Sequence, residues 1–135
     1  MSQITASVHW TDGERFTGIA RSGHALMIDA NREPSTASSP IELVLMGLCA
    51  CTATDVVGIL RKKREHFTGV EVHAEAVRAS EPPTVFTQIR LIYKISGKVS
   101  QKAAEDAVRL SKEKYCSVSA MLQKTAQITS EIELT

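Results

Sequence analysis

Three cysteines carry the chemistry this chain could perform: Cys49, Cys51 and Cys116. A thiolate is a nucleophile and a metal ligand, and two thiols that meet form a disulfide. Metal binding is a poor use of these three. Together with His9, His24, His66 and His73 they show no paired C-x-x-C or H-x-x-x-H spacing. Neither a metal nor another cofactor is expected. Cys49 and Cys51 fall inside an apolar run. On a helix, at about 100° per residue, they point roughly 200° apart and cannot bond to each other. Cys51 has Thr54 and Asp55 on its own face, at i+3 and i+4, whereas Cys49 has Ala53 and Val56, which reads as packing. Cys116 stands at or just before a helix that starts near Ser117, where free backbone N–H groups favour a thiolate and lower its pKa. A buried cysteine is otherwise a small hydrophobe, and Cys49 is expected to be inert. A reactive pair, if the chain has one, is Cys51 with Cys116.

The elements that must position these thiols are legible in the pattern. Residues 38–60 read as one long helix. Ser39 suits the N-cap, Pro40 the first helical position and Glu42 the third, which makes a capping box. Between Ile41 and Cys51 only Glu42 is charged, and a helix apolar all round is buried on every side. The apolar run is too short for a membrane span, and Arg61-Lys62-Lys63-Arg64 reads as the solvated end, its cations favourable to the helix dipole. Before the helix, residues 4–10, 15–20 and 25–29 read as strands of a meander, with Thr11-Asp12-Gly13-Glu14 as a hairpin turn. A polar loop over 30–39 leads into the helix. After it, 70–76 and 85–95 form a long hairpin, with His73 on the outer side beside Glu71 and Glu75. A helix capped by Ser100, the short helix near Ser117 and a strand over 128–134 complete the chain.

With 135 residues, 43% of them hydrophobic, the chain is long enough for one domain, 1–135, with its own core. A net charge of +1 gives no global field for nucleic acid, and the basic run has no aromatic interleaving. Neither nucleic acid nor a membrane is expected as a partner. An odd cysteine count argues against a secreted disulfide framework, and the polar start has no signal-peptide order. A cytoplasmic setting is expected.

The series Ser39-Pro40-Ile41-Glu42, the apolar helix with Cys51 eleven residues after the proline, and Cys116 followed by Ser119 at a helix start resembles the OsmC/Ohr family. That family contains osmotically induced and organic-hydroperoxide-resistance proteins. Within it, the runs Ser39-Pro40-Ile41-Glu42-Leu43-Val44-Leu45-Met46 and Glu113-Lys114-Tyr115-Cys116-Ser117-Val118 are similar to the YhfA-like OsmC branch. The resemblance implies an α+β fold: an intertwined homodimer whose long cysteine-bearing central helices pack in antiparallel sheets from both subunits. It also implies thiol-dependent reduction of organic hydroperoxides, with Cys51 as the peroxidatic thiol and Cys116 as the resolving one. The implied partners are a small apolar hydroperoxide and a dithiol reductant.

Two positions depart from the family's active hydroperoxide reductases. Those enzymes carry an arginine beside the Asp-Gly turn of the first hairpin, where this chain has Thr11, with Arg15 and Arg21 as the nearby substitutes. They also carry a glutamate directly after the helix-opening proline, where this chain has Ile41. Glu42 and Cys51 are nine residues apart and lie on opposite helix faces, so Glu42 is expected to act as a cap. The alternative function is a non-catalytic OsmC-like protein that binds a small ligand or senses redox state.

Overall fold

Ser39 and Glu42 exchange hydrogen bonds at the start of the long helix: the Ser39 N–H donates to Glu42 Oε1 at 2.8 Å and the Glu42 N–H to Ser39 Oγ at 3.2 Å. The expected capping box is therefore made, and its bonds hold the Glu42 carboxyl below the usual carboxylate range. The helix, α1, runs Pro40–Lys62. The computed structural model describes residues 3–135. They form two compact units, the first ending at Val44 within α1 and the second Leu45–Thr135.

In the first unit, β1 (Ala6–Asp12), β2 (Arg15–Ala20) and β3 (Ala25–Asp29) form the expected meander, antiparallel in the order β1-β2-β3. The first strand begins and ends two residues later than the alternation suggests, and Ile4, 93% exposed, lies outside it. Gly13 takes a φ of 51° in the β1–β2 turn, where a side chain would be strained. Asp29 is buried and anchors the following loop. It accepts from the Thr36 hydroxyl, the Thr36 N–H and the Asn31 N–H, and these bonds lower its pKa.

In the second unit, β4 (His66–Arg78) and β5 (Phe86–Lys98) form the long hairpin, and β6 (Gln127–Leu134) joins beside β5. Val72, Tyr93 and Ile132 share one row across the sheet, and Ala76, Ile89 and Ile128 another, so one face is apolar. The opposite face is charged. Arg90 bonds Glu75 at 2.6 Å and Glu131 at 2.8 Å, and His73 sits beside Glu71 as expected. One ladder departs from the antiparallel expectation: β6 runs parallel to β5. The chain between them returns over α2 (Gln101–Leu110), a π-helical turn (Ser111–Tyr115) and α3 (Ser117–Leu122). Such a crossover is what a parallel pair requires. Ser100 caps α2, and Ala103, Ala104, Ala107 and Val108 are its buried face.

Two expectations for α1 need correction. Its buried residues in this chain are Leu48, Thr52, Val56 and Leu60, a single stripe at intervals of four, rather than every side. Val44 and Met46 remain 40% and 48% exposed. The length argument against a membrane span also fails. With 23 residues and a mean hydropathy of 2.1 in its most apolar window, α1 is long and apolar enough to cross a membrane. The apolar pattern simply continues past Cys51 through Val56, Val57, Ile59 and Leu60. What marks α1 as a core helix is its polar bonding to other elements, described next.

Candidate active site

Cys116 ends the π-helical turn and caps α3. Its N–H donates to the Ser111 carbonyl at 2.8 Å, five residues back, and its Sγ accepts from the Ser119 N–H at 3.3 Å. The helix-start geometry expected from the sequence is present. Its electrostatic consequence is the opposite of the expectation. Cys116 is 3% exposed, and burial pushes its thiol above the ordinary value. The Ser119 N–H opposes that shift, and α3, six residues long, supplies too little to reverse it.

The Cys51 thiol is near enough to Cys116 to raise its pKa further. Cys51 is half-buried on α1, and all three cysteines are free thiols. Cys49 points away from this pair, and burial raises its pKa. Cys51 acts on Cys116, while Cys49 and Cys116 both act on Tyr93.

Behind the pair runs a buried polar chain that the sequence reading missed, apart from Asp55. Ser111 Oγ donates to Asp55 Oδ2 at 2.8 Å. Its one proton is then used, so Thr52 Oγ1, 2.8 Å from Ser111 Oγ, must be the donor in that contact. Thr52 in turn accepts from Tyr93 Oη, also at 2.8 Å. Tyr93, 1% exposed, has its pKa raised by burial. Every hydroxyl of the chain is used in one direction, ending on the Asp55 carboxylate. Thr54, the other residue expected on the Cys51 face, bonds the Ala50 carbonyl of its own helix and is exposed. The missed signal was the buried spacing of Thr52 within α1, a hydroxyl in an apolar stripe.

Beyond Asp55 an open groove of about 410 Å³ follows α1, lined by Asp55, Gly58, Ile59, Lys62, Leu110 and Tyr115. Among the described residues no three His, Cys, Asp or Glu side chains converge in a way that could hold a metal. Arg15 pairs with Asp12 at 2.8 Å, and Arg21 donates to the Gln3 carbonyl at 2.7 Å, so both substitutes for the family arginine are engaged within the first unit.

The family model described as OsmC-like protein matches residues 33–131. This chain belongs to the OsmC-like family. It is 42% identical over 132 residues to the protein YhfA of Escherichia coli strain K12, covering 97% of this chain and 98% of that one. Among solved structures, a hypothetical protein from Aquifex aeolicus VF5 superposes with a TM-score of 0.86 at 28% identity, covering 100% of this chain and 99% of that one. An organic hydroperoxide resistance protein OsmC from Legionella pneumophila, described as a predicted redox protein, superposes with a TM-score of 0.75 at 20% identity, covering 98% of each chain. The last likeness bears on the fold, which is the OsmC-like α+β architecture of two sheets and a long helix.

Proposed function

We propose that this protein reduces organic hydroperoxides through Cys51 and Cys116. The observation that carries the reading is that Ser111 ties Cys116 to the turn of α1 that bears Cys51, with Cys51 near enough to act on the Cys116 thiol. The Cys51 thiolate attacks the distal peroxide oxygen, the O–O bond breaks, and the alkoxide leaves and takes a proton to become an alcohol. Cys51 is then a sulfenic acid. Cys116 attacks that sulfur, the S–O bond breaks, and the hydroxyl leaves as water with the Cys116 proton. An external dithiol reduces the resulting disulfide. Membership of a family whose members include proteins named for organic hydroperoxide resistance supports this reading.

The working unit is a homodimer built from a single OsmC-like domain. Only 22% of the most apolar window of α1 is buried within one chain, and an apolar helix of that length needs further cover. A second copy supplies it without a different partner. The family match crosses the boundary between the two compact units, which favours treating them as parts of one domain. Three free thiols suit a reducing, cytoplasmic setting.

The deciding experiment treats reduced protein with equimolar cumene hydroperoxide and maps the cysteines by mass. The expected product is a Cys51–Cys116 disulfide within one chain. Cys116→Ser is expected to leave Cys51 as a sulfenic acid that over-oxidises, and Cys49→Ala to behave as wild type. Thiols that persist unchanged after minutes in excess hydroperoxide would sink the reading. A second reading, a small-ligand or redox-sensing protein without turnover, is favoured by Thr11 standing where active family members carry arginine. The same assay separates the two.

A further inference from the structure

We infer that Ser111 is a positioning residue for the cysteine pair, its side chain and its carbonyl together fixing where Cys116 stands against Cys51. The inference deepens the pairing proposed above and rests on it. Ser111 is 0% exposed. Its Oγ is held at 2.8 Å by both Thr52 Oγ1 and Asp55 Oδ2, one and four residues after Cys51 on α1. Its carbonyl accepts the Cys116 N–H at 2.8 Å. One residue therefore ties the thiol-bearing stretch of α1 to the start of α3 through three bonds.

The local geometry argues against a purely local role. A serine within a helical segment ordinarily bonds a carbonyl of its own preceding turn. Here the hydroxyl is committed to a different helix. The π-helical turn makes that possible, because its wider five-residue closure brings Cys116 back over the Ser111 carbonyl. Disulfide formation is sensitive to such placement: the two Cα atoms must come within about 7 Å with their side chains converging. A Cys116 released from its tether samples that geometry less often, so the disulfide forms less readily and is reduced more easily.

The test reads the disulfide equilibrium directly, without a peroxide. Full-length protein is equilibrated in mixtures of reduced and oxidised glutathione. Each turnover converts one oxidised glutathione to two reduced ones as Cys51 and Cys116 lose two electrons and two protons. The oxidised fraction is read by thiol alkylation and peptide mass. In Ser111→Ala the equilibrium constant for disulfide formation is expected to fall about tenfold, the scale of one lost hydrogen bond to a charged group, which moves the potential about 30 mV less negative. Asp55→Ala should move it the same way. Asp55→Asn, whose amide oxygen still accepts from Ser111, should restore it toward wild type. Should Ser111→Ala fail to fold, the contrast between Asp55→Ala and Asp55→Asn carries the test alone. Folded Ser111→Ala and Asp55→Ala at the wild-type potential overturn the positioning role, as does Asp55→Asn shifted as far as Asp55→Ala. A wild type that forms no disulfide in any mixture overturns both the role and the pairing. A wild type that forms the disulfide yet consumes no hydroperoxide overturns only the peroxidase reading.

Discussion

The sheet of the second unit carries a polar cluster on each face, and the two are built on opposite terms. On the inner face, Tyr93, Thr52 and Ser111 are each no more than 1% exposed and joined by short hydroxyl bonds. On the outer face, Arg90 spans three strands to reach Glu75 and Glu131, with all three side chains at least 44% exposed. The outer cluster has the stronger charges and the shorter contact. The inner one is harder to disturb, because water cannot replace a partner that is removed. Exposed charges are solvated whether or not they meet. The residues that brace the thiol pair are thus neutral hydroxyls in a dry place, ending on one half-buried carboxylate.

The largest effect is expected inside. Thr52→Val keeps the shape and removes the hydroxyl, leaving Tyr93 without its acceptor and Ser111 without its donor. Urea unfolding should show a loss of about 1–3 kcal/mol, the usual result of stranding buried polar groups. A loss no greater than that of an exposed threonine would show that the buried chain contributes nothing.

An intermediate case is Asp106 on α2, whose carboxylate pairs with Lys102, Arg109 and, just past the end of α1, Lys63. The Lys102 bond leads in lowering its pKa from 3.8 to about 2. A folded pKa below the unfolded one contributes stability that is full above about pH 4 and is lost as pH falls toward 2. Asp106→Asn should flatten that part of the stability-against-pH curve while leaving neutral-pH thiol chemistry unchanged. An unaltered acid limb would mean the three cations do not act on this carboxylate in solution.

The smallest effect is expected outside. Arg90→Ala should shift the melting temperature little at low salt, and the difference from wild type should vanish at high salt as screening removes the ion pairs. A large, salt-independent destabilisation would erase the contrast between the two faces. It would point instead to packing by the arginine stem across the three strands.

What the sequence determined by itself is whatever neighbours within a turn or a pleat impose. The Ser39–Glu42 capping box, the Ser100 cap, the opposed directions of Cys49 and Cys51, and the strand alternation and turns of the meander and the long hairpin are all written in residues a few positions apart. The periodicity records them. Tertiary structure decided the rest. Thr52 lies 41 positions from Tyr93 and 59 from Ser111, and nothing local to a threonine in an apolar helix announces either partner. The parallel course of β6 depends on where a three-part crossover lands, which strand alternation does not encode. The sign of the Cys116 shift depends on how deeply neighbouring elements bury it. The helix start is local and visible, but desolvation comes from the whole surrounding fold, and here it is the larger of the two.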